Sequence, residues 1–325
     1  MPGMDNGTER DAGHRPEVLV EAVGLTRVYG RVPAVSDVSF VIRRGEVLGF
    51  LGPNGAGKTT TMQMLSGNLA PTSGRVLIGG HDMMSEPKRA KAALGYLPEI
   101  PPLYRELTVD EYLDYCAALH RVPRPDRTRL RERAKARCGL SEVGKRLTAN
   151  LSKGYQQRVG LAQAILHEPP VVILDEPTIG LDPIQIREVR RLIRDLGREH
   201  AVILSTHILP EVQASCDRVQ IIHKGRLILS ETIGDLERRS QSRVLMVAFH
   251  RAPDTARIAE LAGVQSVTSM GDHRLRLFHD PDQDPTEALM RLSMTEDWGL
   301  REVTPETSSL ENLFVELTGE QSANP

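Results

Sequence analysis

Nine residues at 52–60, GPNGAGKTT, combine glycine, lysine and hydroxyl groups in a spacing suited to holding phosphate. The run fits G-x-x-x-x-G-K-[ST], with Gly52, Gly57, Lys58 and Thr59 at the fixed positions and Pro53, Asn54, Gly55 and Ala56 between them. Glycines let backbone N–H groups close around an anion, and a helix that follows adds the positive end of its dipole. Lys58 is long enough to reach the β and γ phosphates of ATP. The Thr59 hydroxyl can ligate Mg²⁺, and Thr60 leads on into the helix. The flanks supply the required setting: GEVLGFL (45–51) is an apolar run of strand length, and TTMQMLSGNL (60–69) has Met62, Leu65 and Leu69 at helical spacing. The bland alternative is an ordinary glycine-rich turn between strand and helix.

A second group lies at VVILDEP, where Asp175 and Glu176 end the apolar run 171–174. A carboxylate there can meet Mg²⁺ beside a phosphate loop. Adjacent side chains on an extended backbone point to opposite sides, which predicts separate tasks: Asp175 on the metal, Glu176 on the attacking water as general base. A third group begins at Leu151 in LSKGYQQRVGLAQAI, where Ser152 and Gly154 open a helix and would turn a hydroxyl and N–H groups outward toward an anion. Taken alone, it would also read as a simple helix cap.

The order of these groups resembles that of ABC-family ATPases. Leu151, Ser152 and Gly154 match the family signature LSGGQ, with Lys153 at its middle glycine and Tyr155 at its glutamine. The resemblance covers about residues 18–236 and implies further positions. Glu99, in YLPE, stands where a glutamine contacts Mg²⁺ and the transporter; a carboxylate there can ligate the ion but adds negative charge beside it. His207, after the strand AVILS, resembles the histidine that contacts the γ-phosphate. GLD (180–182) resembles the loop that touches a second subunit, and Tyr29 the aromatic that stacks on adenine. The SKGYQQR and YLPE forms and the C-terminal extension are similar to those of drug-exporter and gliding-motility ATP-binding subunits.

The elements that must position these residues follow from pattern. Strand runs fill residues 18–80, helical spacing dominates 86–168, and strands alternate with helices over 169–229, a βαβ rhythm that predicts a buried, mostly parallel sheet. Beyond residue 243 the order reads β, α, β, β, α, β, α, a ferredoxin-like split βαβ unit with a final helix, SLENLFVEL, whose Leu310, Leu313, Phe314 and Leu317 share one face. The expected fold class is therefore α/β: an ABC-type P-loop NTPase with a mixed sheet and a helical subdomain, plus a small C-terminal α+β domain. The expected organisation is a disordered tail at 1–16, an ATPase domain at 17–236 with its helical subdomain at about 86–168, and an accessory domain at 243–325.

Composition narrows the partners. A net charge of −2 and an aromatic content of 4% give no basic field or stacking platform for nucleic acid. The basic run RTRLRERAKAR reads as a solvated helix face. Cys116, Cys138 and Cys216 show no C-x-x-C spacing and suit a reducing compartment. The first residues lack the apolar stretch of a signal peptide, and no apolar run approaches bilayer length, so any membrane role is expected through a partner.

The family mechanism sets a signature serine opposite each phosphate loop, and one copy of each motif implies a head-to-tail homodimer around two ATP molecules. The resemblance implies an ATP-hydrolysing subunit driving a separate integral membrane permease, in the export direction, from the cytoplasmic face of the cell membrane. Pro101, Pro102, Leu103 and Tyr104 would offer the permease a stiff apolar contact. The competing reading is a soluble ABC ATPase acting on nucleic acid, ribosomes or a protein complex; the chain has neither the second nucleotide-binding unit nor the coiled-coil insertion usual there. A regulator that only senses ATP would have no use for Glu176.

Overall fold

The computed structural model describes residues 17–240, 244–280 and 283–305. The helix expected at SLENLFVEL lies outside the described residues. The chain divides after Glu231 into two compact units.

The first unit is built on two sheets. Strands β1 (Val18–Tyr29) and β2 (Val32–Arg43) pair antiparallel, then β3 (Val47–Leu51) leads through the phosphate loop into helix α1 (Lys58–Leu65). β4 (Ser73–Ile78) and the short β5 (His81–Asp82) complete an antiparallel sheet of order β2-β1-β4-β5. After α2 (Pro87–Ala92) and β6 (Leu94–Leu97) comes the helical region: α3 (Val109–Leu119), α4 (Arg124–Arg137) and α5 (Lys153–Ile165). Then β7 (Val171–Asp175), α6 (Pro183–Gly197), β8 (Ala201–Thr206), α7 (Leu209–Ser215), β9 (Arg218–His223) and β10 (Arg226–Thr232) alternate as the pattern predicts.

The six-stranded sheet has the order β10-β9-β3-β8-β7-β6, with β9 through β6 parallel. β10 turns back through Lys224-Gly225, both with positive φ, the backbone that suits a two-residue hairpin. Strand period two divides the core between the sheet's faces. Val172, Leu174, Val202 and Leu204 join one cluster with Tyr112, Leu113, Val159 and Ile193 of α3, α5 and α6. Val171, Ile173, Ala201 and Ile203 join the other with Met62 and Leu65 of α1 and with the antiparallel sheet. Each of these large aliphatic side chains, fully buried, contributes about 1.5–3 kcal/mol.

β6 lies within the stretch expected to be helical. Its Gly95 explains the close fit: a Cβ there would lie 1.9 Å from the Ala164 carbonyl, so only glycine lets α5 rest on this strand. The basic helix α4 is also less open than a solvated face. Lys135 is buried, with Nζ donating to Asp110 at 2.6 Å and Glu132 at 3.1 Å, and Arg131 pairs with Asp114.

In the second unit, α8 (Ile233–Ser240) precedes β11 (Val244–Phe249), α9 (Thr255–Ala259), β12 (Val264–Gly271), β13 (Arg274–His279), α10 (Thr286–Thr295) and β14 (Leu300–Pro305). The sheet order β12-β13-β11-β14, antiparallel throughout, is the ferredoxin-like arrangement that the pattern predicts. Its core holds Leu245, Val247, Leu275, Leu277 and Leu289, with Phe249 edge-on to Trp298 at 6.0 Å. Among the described residues no helix is long and apolar enough to cross a membrane.

Candidate functional site

Three neighbouring parallel strands deliver their C-terminal ends to one place, as open α/β sheets do at their ligand sites. Leu51 of β3 is in register with Thr206 of β8, and Asp175 of β7 with Ser205. The phosphate loop, the two acids and His207 therefore leave adjacent strands together. Beside them is a cleft of about 560 Å³ lined by Asn54, Gly55, Gly57, Lys58, Thr59, Thr60, Glu99, Glu176 and His207, with Ala34 and Ile179; Asp175 is buried and is not part of this lining.

The glycines of the loop have separate reasons. A Cβ on Gly52 would lie 2.4 Å from the Ile222 carbonyl oxygen. Gly57 caps α1 at φ +107°, and a Cβ there would lie 2.6 Å from the Ala34 carbonyl oxygen. Gly55 has φ +79° in open space, so backbone freedom alone requires it. Ala56 N–H donates to the Pro53 carbonyl at 3.2 Å, closing the loop. Lys58 is buried, and its Nζ donates to the carbonyls of Gly52 (2.8 Å) and Pro53 (3.2 Å) and lies 3.6 Å from Glu176.

Asp175 is completely buried, and neither carboxylate oxygen has a hydrogen-bond partner. Burial raises its pKa above the usual carboxylate range, and the charges of Glu176 and Glu99 push the same way. An orphaned buried carboxylate beside a hydroxyl and a second acid is a donor set that fits a divalent cation. Among the described residues no three His, Cys, Asp or Glu side chains form a cage by themselves. Mg²⁺, which keeps waters and takes one or two carboxylates plus substrate phosphates, suits such a site.

Glu176 departs from the extended backbone expected of it: its φ is +47°. The chain turns left-handed at Glu176, straight after Asp175, at a cost of about 1–2 kcal/mol for a residue with a side chain. Glu176 N–H donates to the Ser205 carbonyl at 2.9 Å, and its carboxylate lies 3.0 Å from His207 Nδ1.

The remaining predicted residues lie elsewhere. Ser152 caps α5, its hydroxyl accepting from Tyr155 N–H at 3.4 Å, so it is engaged by its own helix. Gly154 is buried rather than outward, and a Cβ there would meet the Gln185 side chain at 2.4 Å. Neither lines the cleft. Tyr29 is exposed at the end of β1, with the Arg27 guanidinium 4.8 Å from its ring centre, and does not line the cleft. Two lining residues, Ala34 and Ile179, carry no chemistry by which the sequence could flag them. A second cleft, of about 390 Å³, lies against Arg137, Arg158 and Glu188, with Arg158 and Glu188 paired to each other.

Comparison with known proteins agrees with this geometry. The family profile described as ABC transporter matches residues 35–179. The bacitracin transport ATP-binding protein BcrA of Bacillus licheniformis is 32% identical over 303 residues, 93% of this chain and 97% of that protein. The uncharacterized ABC transporter ATP-binding protein YhcH of Bacillus subtilis is 36% identical over 307 residues, 94% of this chain and 97% of its own. A solved structure of the ATP-binding subunit of an ABC transporter, 33% identical, superposes with a TM-score of 0.63 over 68% of this chain and 92% of that one.

Proposed function

The chain belongs to the ABC transporter family as an ATP-binding, ATP-hydrolysing subunit, and from that premise we propose that two copies pair head to tail and drive a separate membrane permease, in the export direction. One observation carries the pairing. The cleft gathers Lys58, Thr59, Glu99, Glu176 and His207 but not Ser152 or Gly154, so the signature helix has no phosphate to meet within its own chain. A second copy supplies it, with ATP held between the subunits.

Each residue then has a task. The backbone N–H groups of residues 52–60 and Lys58 hold the β and γ phosphates. Thr59, Asp175 and Glu99 hold Mg²⁺, which, when bound, neutralises phosphate charge. Glu176 takes the proton of the attacking water. His207, exposed at the cleft and hydrogen-bonded to Glu176, meets the γ-phosphate. Tyr29 lies open for adenine to stack on. Loss of the γ-phosphate removes contacts made from both subunits and shifts the pair toward the open state.

The permease contact follows Glu99. Ile100 is 81% exposed, and Tyr104 is exposed and packs edge-on against Tyr115. That makes an apolar surface next to a residue of the nucleotide cleft. The ATPase domain, expected at 17–236, would correspond to the first unit, which ends at Glu231, and the accessory domain, expected at 243–325, to the second. One relative is named for bacitracin transport; the export direction rests on the resemblance to drug-exporter subunits, and the permease would hold the subunit at the inner face of the cell membrane.

The test uses Glu176→Gln in the native host. With ATP and magnesium, the purified variant should double its mass by light scattering and co-purify with a polytopic membrane protein. A monomer under those conditions overturns the pairing. A set of soluble ribosomal or DNA-bound partners overturns the transporter reading.

A further inference from the structure

A carboxylate outside the predicted site closes a ring through it. Glu211, on α7, is 1% exposed. One of its oxygens accepts the Thr178 hydroxyl, and the other accepts the Thr206 hydroxyl at 2.8 Å. Thr178 stands two residues after Glu176, and Thr206 immediately before His207. Since His207 Nδ1 is 3.0 Å from the Glu176 carboxylate, the path Glu176–Thr178–Glu211–Thr206–His207 returns to its start. We propose that Glu211 is a positioning residue for hydrolysis, fixing the loops that carry Glu176 and His207 at one separation. The inference rests on the reading of Glu176 as general base.

Two features show that the ring has something to hold. Glu176 has φ +47°, a backbone state that persists only where its surroundings over-determine it. On its strand side it is pinned by its N–H to the Ser205 carbonyl. Thr178 supplies the pin on the other side, where Ile179 N–H and Leu181 N–H only fold the loop back on Glu176 and Thr178 themselves, at 3.3 and 3.1 Å. On the His207 side, the Thr206 hydroxyl also accepts Ile208 N–H at 3.1 Å, so one oxygen orders the start of α7 while its proton goes to Glu211. Second, an acid is a costly way to fill this volume. No described cation lies within ion-pair distance of Glu211, and burying a carboxylate on hydroxyl partners alone is less favourable than packing an apolar chain of the same size. What the carboxylate adds over an apolar residue is two acceptors, one for each catalytic loop.

Glu211→Gln keeps the shape but offers one good acceptor, and Thr178→Val keeps the shape but removes one donor. In each, the general base and its histidine partner lose fixed separation while the phosphate loop is untouched. The kcat of ATP hydrolysis by the full chain should fall on the order of ten-fold or more, the scale of catalytic-group misplacement. The KM and the affinity for a fluorescent ATP analogue should stay within about two-fold, since the phosphate loop that sets them is not altered. Thr178→Ser, which restores the hydroxyl, should recover most of the rate. Glu176→Gln is measured alongside. If it is inactive while Glu211→Gln and Thr178→Val turn over like the wild type, the positioning role is wrong and the base assignment survives. If Glu176→Gln itself hydrolyses ATP, the base assignment fails first, and the ring with it. A kcat loss matched by lost nucleotide affinity and a lower melting temperature would mean that Glu211 only stabilises the fold, and would also overturn the proposal.

Discussion

Removing the charge of Asp175 should make the nucleotide-free protein more stable while abolishing its response to magnesium. Asp175 has no exposed surface and two oxygens without partners. A buried polar group left unsatisfied costs about 1–3 kcal/mol, more when charged. Asn keeps the shape and loses the charge but still buries polar atoms, so Asp175→Asn should recover only part of this, about 1–2 kcal/mol. For a domain of roughly this size each kcal/mol moves the melting temperature by about 2–4 °C, giving a rise of about 2–8 °C. The pH dependence follows from the raised pKa. Because the folded-state value lies above the unfolded one, the wild type is favoured at acid pH and loses that contribution as pH rises through the folded-state value. The gap between variant and wild type should therefore be widest at neutral pH and close as pH falls toward 4. Differential scanning calorimetry at several pH values, with chelator present, measures it. Adding ATP and magnesium should reverse the order: the wild type gains about 2.7 kcal/mol at a ligand concentration 100-fold above Kd, and the variant much less. A variant that melts at or below the wild type at pH 7.5 without nucleotide would refute the account of Asp175 as a poised, uncompensated ligand.

Gly57→Ala places a Cβ 2.6 Å from the Ala34 carbonyl oxygen at φ +107°, and should weaken ATP binding by about ten-fold or more by fluorescence titration, the equivalent of about 1.4 kcal/mol. Gly80→Ala, at φ +78° with open space around it, should leave ATP affinity unchanged and cost only about 1 kcal/mol of stability. Thr108 and Glu111 form a reciprocal cap at the start of α3, so Thr108→Ala should lower stability by about 1 kcal/mol in denaturant titration without changing kcat. His167 stacks on His120 at 3.7 Å, and burial, then the neighbouring His120 charge, pull its pKa from 6.5 down to about 3. Its contribution should thus be complete above about pH 6.5 and decline as pH falls toward 3, by up to about 1.4 kcal/mol per pH unit, and His167→Gln should flatten that acid limb.

What the sequence makes legible is what short-range chemistry encodes. The phosphate loop, the acids at the end of β7 and the ferredoxin-like strand order are each written in contiguous residues, and the structure places all of them accordingly. β6 escaped because LGYL is four residues long, lies between helical patterns and owes its glycine to the Ala164 carbonyl, a contact 69 positions away. The φ of Glu176 escaped because an apolar strand ending in two acids looks extended until the β8 backbone captures its N–H. Glu211 escaped for the same kind of reason. In ILPEVQASC it is one more acid in the first turn of a helix, and only the register of β7 beside β8 brings Thr178 and Thr206 to it.

The same register explains the partners of Lys58. Its ammonium has three donors and no acceptor, and it is buried, so it must find oxygens within the protein. It takes the Gly52 and Pro53 carbonyls and approaches Glu176, the neighbour that β7 and β8 set across the loop. On the proposed assignment of Lys58 to the γ-phosphate, that phosphate would compete with Glu176 for the same charge. Binding would then loosen the ion pair and leave the Glu176 carboxylate with His207 as its remaining partner. The carboxylate proposed as general base would thus lose its ammonium partner at the moment the substrate is in place. This coupling needs no movement of the strands, only the exchange of one partner of Lys58 for another.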